Sequence, residues 1–123
     1  MELQVIPHDF SICKLLDPAT VNLDQDYYFL SKTDQELSLV CPSENVPLGV
    51  TKRDDGWKAF RIQGVLDFSL IGILSKISTL LAENRIGIFA VSTYNTDYIF
   101  TKADHFAGAL AVLAAAGYRI AGR

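Results

Sequence analysis

The chain has little of what marks a stapled, secreted or membrane-borne protein. Its 123 residues include two cysteines, Cys13 and Cys41, too few for the disulfide framework of a small extracellular domain. No charged start followed by an apolar core opens it, as a secretory leader requires. Together these features predict a reduced, cytoplasmic protein. Apolar stretches fall well short of the ~20 residues that span a bilayer, so no membrane partner is expected. Charge is sparse and nearly balanced, with eleven Lys and Arg against fourteen Asp and Glu for a net charge of -3. A mildly acidic surface does not track phosphates, which excludes non-specific nucleic-acid binding. Half of the residues are apolar, and a folded chain of this size buries roughly two-thirds of its unfolded surface, so disorder is excluded as well.

Catalytic and metal-binding patterns are equally scarce. His8 and His105 lie far apart, and neither neighbours another ligand type at metal-binding spacing; Asp104-His105 reads as a helix start with Asp104 as its cap. Ser11, Ser69 and Ser92 lack the flanking glycines of a nucleophile elbow, and Cys13 and Cys41 alternate on strands as small core residues. Gly64, Gly72 and Gly87 are isolated glycines without the Lys-Ser or Lys-Thr of a phosphate loop. The segment Ile86 to Val91 lacks the exposed aromatic and basic residues that RNA recognition needs. Asp67 or Asp97 acting as a general base would have no paired acid or nucleophile. No catalytic residue, metal or cofactor is expected, and the chain is not read as an enzyme.

What is present is a regular alternation of periods in the C-terminal half. Phe60 and Ile62 share one face of a strand that starts at Trp57, entered from an Asp55-Gly56 turn. Leu70, Leu74, Ile77 and Leu81, widened by Ile73 and Leu80, form a helical stripe. Asp67 or Ser69 is placed to cap this helix, and Asn84-Arg85 to end it. Ile86–Thr93 and Tyr98–Thr101 read as a hairpin around a polar tip. A second helix carries Phe106, Leu110 and Leu113 to a stop at Gly117, and Tyr118 to Ala121 is the last strand. The order β-α-β-β-α-β is the ferredoxin-like pattern, with two helices on one face of an antiparallel sheet. Trp57, Ala59, Phe89 and Val91 make the other face apolar, so it needs a cover of its own.

The N-terminal half has strands without helices. Strands are expected at Asp9–Leu16, at Tyr27–Lys32, through Leu37, Leu39 and Cys41, and at Val50–Arg53. The connection 17–23 has room for about two turns, and 42–47 for one, capped by Ser43. The division is therefore 1–56 as a trimmed unit and 57–123 as the fuller one.

The string Ser92-Thr93-Tyr94-Asn95-Thr96-Asp97 is a polar cluster in an apolar half. Hairpin-turn chemistry accounts for part of it. The other reading is a ligand site shared with the loop before the first helix: a carboxylate would meet the helix N-terminus, and an ammonium would meet Asp97.

The run from Phe60-Arg61-Ile62 through Ile86-Gly87-Ile88-Phe89-Ala90-Val91 to Ser92-Thr93-Tyr94-Asn95-Thr96-Asp97-Tyr98-Ile99-Phe100 resembles ACT domains. Phe10-Ser11-Ile12-Cys13 and Glu36 to Pro42 are similar to the first half of small bacterial proteins made of two ACT-like halves. The helix-to-strand passage resembles aspartate kinase regulatory domains, and Ser92 to Ile99 is similar to a string in animal cytosolic arginine sensors. The resemblance implies an α+β fold of two side-by-side ACT-like units with antiparallel sheets, the first with shortened helices. It implies a stand-alone regulatory protein that binds a small molecule, an amino acid, where ACT units pair, as a homodimer acting on an effector protein. The alternative is a protein-interaction or dimerisation module without a ligand. Carried over, the ligand contacts are Asp67, Phe68, Ser69, Leu70 and Ile71 in the loop and Ser92, Thr93, Asn95 and Asp97 around the hairpin. The Pro-Gly that often opens the first ACT helix is replaced here by Ser69-Leu70-Ile71-Gly72.

Overall fold

A computed structural model describes residues 1–63 and 72–123. In order, the chain forms β1 (Glu2–Leu15), β2 (Phe29–Lys32), β3 (Leu37–Pro42), β4 (Val50–Ile62), α1 (Ile73–Glu83), β5 (Ile88–Ser92), β6 (Asp97–Lys102), α2 (Ala103–Ala115) and β7 (Arg119–Ala121). These divide into two compact units, one of Met1–Pro7 with Lys58–Arg123 and one of His8–Trp57.

In the first of these units the strand order is β7-β1-β4-β6-β5. Leu3, Phe60, Ile62 and Ile99 from the strands meet Ile77 and Leu81 of α1 and Phe106, Ala109, Leu110 and Leu113 of α2 in one buried cluster. The helical stripe falls where its spacing puts it, with Ile77 and Leu81 fully buried and Ile73, Leu74 and Leu80 flanking them. Both helices end in the same way. After α1, Ile86 N–H donates to Leu81 O at 2.9 Å and Arg85 N–H to Ala82 O at 3.0 Å. After α2, Tyr118 N–H donates to Leu113 O at 3.0 Å and Gly117 N–H to Ala114 O at 3.1 Å. These are Schellman closures, which need a left-handed residue after the cap. Gly117 fills that role at φ 101° without a Cβ penalty, and Arg85 fills it at φ 60° against one.

Several expectations from the sequence are corrected. The last strand does not complete a wholly antiparallel sheet: β7 pairs in parallel with β1, as Glu2↔Arg119, Leu3↔Ile120 and Gln4↔Ala121. Residues 2–7 thus supply a strand between β7 and β4 that no local pattern announced. The Asp55-Gly56 turn is absent, because β4 runs unbroken from Val50 to Ile62. Gly56 keeps φ 86° within it, a backbone state that a strand tolerates at a bulge and that glycine adopts without strain. Asp104 lies in the first turn of α2, which has Lys102 at its N-cap and no side-chain cap bond. Leu70, Asp67 and Ser69, expected in or capping α1, lie outside the described residues; the helix has Gly72 at its N-cap. On the face expected to need a cover, Ala59 is fully buried and Phe89 and Val91 are half-buried, with Phe89 stacked on Phe100 at 4.5 Å between ring centroids.

The second unit is a sheet of order β2-β3-β1-β4, with β3 antiparallel to both β1 and β2. Its connections hold single 3-10 turns at Pro18–Thr20 and Ser43–Asn45. Cys13, Leu15, Leu37, Leu39 and Cys41 form its core, lined by Val21, Tyr28, Val46 and Val50. Ser43 does not cap its turn; its hydroxyl goes to Ser11 instead, at 2.7 Å.

Candidate functional site

The β5-β6 hairpin is closed by its own polar residues. Thr93 N–H donates to Thr96 O at 2.8 Å, and the Thr93 hydroxyl donates to the same oxygen at 3.0 Å. Ser92 and Asp97 face each other across the register, and the Ser92 hydroxyl donates to Asp97 Oδ1 at 2.5 Å. Thr96, 8 % exposed, then turns inward and donates to the Ile62 carbonyl at 2.7 Å. This bond fastens the hairpin tip to the end of β4.

Strand alternation sends Phe60 and Ile62 into the core and turns Arg61 to the opposite face. There its guanidinium is held from two sides. Nε donates to Gln63 Oε1 at 3.2 Å, and Nη1 donates to the Tyr98 hydroxyl at 3.2 Å. The guanidinium carbon also lies 5.9 Å from the centroid of the Tyr98 ring, within cation-π range. Arg61, Ile62, Gln63, Thr93, Asn95, Thr96 and Tyr98 enclose an open recess of about 310 Å³.

Of the residues expected at a ligand site, Thr93 and Asn95 line this recess. Ser92 and Asp97 are next to it in sequence but bind one another in the hairpin closure, which is the turn chemistry weighed for them. Asp67, Phe68, Ser69, Leu70 and Ile71 lie outside the described residues. Arg61, Gln63 and Tyr98 were not among the expected site residues, and Thr96 entered only as part of the polar string. The signal for Arg61 was available, since a cation between two core residues of a strand must leave the core face. Its pairing with Tyr98, 37 residues away, was not.

A second polar cluster lies on β1 and β4 of the other unit. Ser11, fully buried, donates its hydroxyl proton to Asp55 Oδ1 at 2.5 Å and therefore accepts from Ser43, since a hydroxyl has one proton to give. Arg53 Nε donates to the same carboxylate oxygen at 2.9 Å. The Ser11 hydroxyl and then Arg53 hold the Asp55 carboxyl below its usual range. A carboxylate so stabilised is a weak base, and Ser11 has no solvent access, so this relay is built for holding strands rather than for activating a nucleophile. Burial raises the Cys13 thiol and pushes Cys41 up to about 12, which makes both poor nucleophiles. Among the described residues no group of His, Cys, Asp and Glu is placed to hold a metal ion, and no helix is long and apolar enough to cross a membrane.

Residues 52–115 match the ACT domain, a span that takes in β4 from Lys52 onward, the recess and α2. The chain belongs to the ACT-domain family. Among solved structures, the ACT-domain chain is similar to protein Atu0741 from Agrobacterium tumefaciens at 28% identity, with 97% of this chain and 90% of that one covered and a TM-score of 0.83. It shares its fold with VC0802 from Vibrio cholerae, a protein of unknown function described as a possible transport protein, at 17% identity over 91% of this chain and 86% of that one, TM-score 0.71. It shares the fold also with the ligand-free regulatory subunit of aspartate kinase from Thermus thermophilus, at 11% identity over 95% and 97% of the two chains, TM-score 0.66. No curated protein matches it.

Proposed function

We propose that this ACT-domain chain is a regulatory protein that binds a small molecule, an amino acid, at the recess between the end of β4 and the β5-β6 hairpin. The observation that carries this reading is the convergence of Arg61, Gln63, Thr93, Asn95 and Tyr98 on a hollow of about 310 Å³, near the lower end of ligand-pocket sizes and suited to a small polar molecule. Membership of the ACT family supports a regulatory rather than catalytic role. Asp67, Phe68, Ser69, Leu70 and Ile71 would add contacts from the loop before α1, and an ACT unit of a second copy would complete the site in a homodimer. Ligand binding would favour one pairing geometry over another, and an effector protein would read the difference; such coupling amounts to about 1–3 kcal/mol. The free thiols of Cys13 and Cys41 suit the reducing, cytoplasmic setting we assign to it.

The test is a thermal-shift series with the twenty amino acids. A ligand at 100 times its Kd stabilises by about 2.7 kcal/mol, which for a chain of this length raises the melting temperature by about 10 °C. A flat series would remove the amino-acid reading. It would favour instead a pairing module that uses β5, the strand at the end of its unit's order, as an interaction edge.

A further inference from the structure

Independently of the ligand site, we propose that the loops of the His8–Trp57 unit form a docking surface for a basic, amphipathic segment of an effector protein. Two connections carry it, residues 16–28 between β1 and β2 and residues 43–49 between β3 and β4. Val21 and Tyr28 from the first and Val46 from the second line the core of the unit. The leucines of the same loops stand in solvent instead: Leu16 is 86 % exposed, Leu48 84 % and Leu23 68 %. They are three of the six large apolar residues exposed among the described residues, and such a concentration marks an interaction surface where single scattered leucines do not.

These leucines are held together and held still. The Thr20 hydroxyl donates to the Leu48 carbonyl at 2.8 Å, which ties the first loop to the second. The Thr51 hydroxyl donates to the Lys14 carbonyl at 3.2 Å. Leu16, after the end of β1, and Leu48, before the start of β4, therefore leave the sheet at the same end. Within the first loop Asp17 Oδ1 accepts from Ala19 N–H at 2.9 Å, Val21 N–H donates to Pro18 O at 3.0 Å, and Asp24 N–H donates to Asn22 Oδ1 at 3.0 Å. The loop is ordered by its own bonds, so a partner need not supply that entropy. Val46, Pro47, Leu48 and Val50 also line a hollow of about 370 Å³, room for a large apolar anchor. Its border holds Lys52 and Arg53, the latter bound to Asp55.

Charge selects the partner. The two connections contain Asp17, Asp24, Asp26 and Glu44 and no Lys or Arg. The His8–Trp57 unit has four Lys and Arg against nine Asp and Glu, a net charge of -5, whereas the other unit has seven against five, a net charge of +2. An apolar patch in an acidic field fits a segment with large apolar side chains on one face and Lys or Arg beside them. The same field repels nucleic acid and anionic lipid surfaces.

The experiment is fluorescence anisotropy with labelled model peptides on the full chain at about 0.15 M salt. One peptide of about 18 residues has leucines at i, i+3, i+4 and i+7 spacing and lysines elsewhere; a second has the same composition with the leucines scattered, and a third has Glu in place of Lys. The patterned Leu/Lys peptide should bind at least about tenfold more tightly than the other two. Leu48→Ser and Leu16→Ser, at exposed positions that the fold does not use, should each lower that affinity about five- to tenfold. Asp24→Asn with Asp26→Asn should lower it about threefold and flatten its salt dependence. Glu83→Gln with Asp104→Asn, equal in charge but on the helices of the other unit, should leave it unchanged. No binding, equal binding of either control peptide, wild-type affinity in both leucine variants, or an equal loss in the helix double variant overturns the proposal and leaves the recess reading untouched. Sedimentation of the chain alone tests a second copy as the occupant: a dimer that Leu48→Ser converts to monomer overturns the effector assignment, and an unchanged assembly state supports it.

Discussion

Removing the hydroxyl of Thr96 should loosen the recess without altering its charge. Thr96 is 8 % exposed and donates to the Ile62 carbonyl at 2.7 Å; Ile62 is itself fully buried. In Thr96→Val the shape is nearly kept, but the bond is lost and a methyl group faces a carbonyl oxygen at less than van der Waals distance. A neutral hydrogen bond contributes about 0.5–1.5 kcal/mol net, and a buried acceptor left without its donor adds to the loss. Burial of the new methyl returns at most about 0.8 kcal/mol. The expected destabilisation is about 1–2 kcal/mol, or about 4–8 °C in melting temperature for a chain of this length. Thr93→Val is the control. Thr93 is exposed and bonds only within the hairpin tip, to Thr96, so the expected loss is about 0.5 kcal/mol. Urea unfolding of the three proteins measures both, with an unchanged slope showing that the denatured states are alike. If Thr96→Val melts within about 1 °C of wild type, or if Thr93→Val is the more damaging change, the hairpin is not fastened to β4 as described.

Three further outcomes can be measured. Arg85→Gly removes a Cβ from a left-handed residue at φ 60° and should stabilise by about 0.5–1 kcal/mol, read as a higher urea midpoint; a lower midpoint would show that the closure of α1 depends on the arginine side chain. Asp55 is held ionised further into acid in the folded chain than in the unfolded one, so its contribution is complete above its unfolded value near pH ~4 and is lost as pH falls through the lower folded value. Ser11→Ala should reduce that acid-side loss as well as stability at neutral pH, and an identical pH slope in the variant would refute the link. Cys13 and Cys41, buried and with raised pKa values, should react with a thiol reagent at pH 8 only after denaturant is added; prompt native-state labelling would contradict the packing.

The features legible in the sequence are those carried by local spacing. Ile77 and Leu81 with their flanking leucines mark α1, Phe106, Leu110 and Leu113 mark α2, and the β5-β6 hairpin follows from a branched and aromatic run on either side of a polar tip. Each of these is decided within about a dozen residues, where periodicity and turn chemistry act directly. The same tip illustrates the limit of such reading. Ser, Thr, Asn and Asp serve turns and ligands equally well, and only the tertiary structure shows that Ser92 and Asp97 bond each other across the hairpin while Thr93, Asn95 and Thr96 line the recess.

The sequence by itself determined the element types, the sparing use of helix before residue 57 and the resemblance to ACT domains. Tertiary structure decided that residues 2–7 stand between β7 and β4, that β4 passes Gly56 without turning, and that Arg61 meets Tyr98. The physical reason is the same for all three. Strand pairing and side-chain partnership over tens of residues depend on which surfaces remain to be buried once the local elements exist. A periodicity confined to one segment carries no record of its partner.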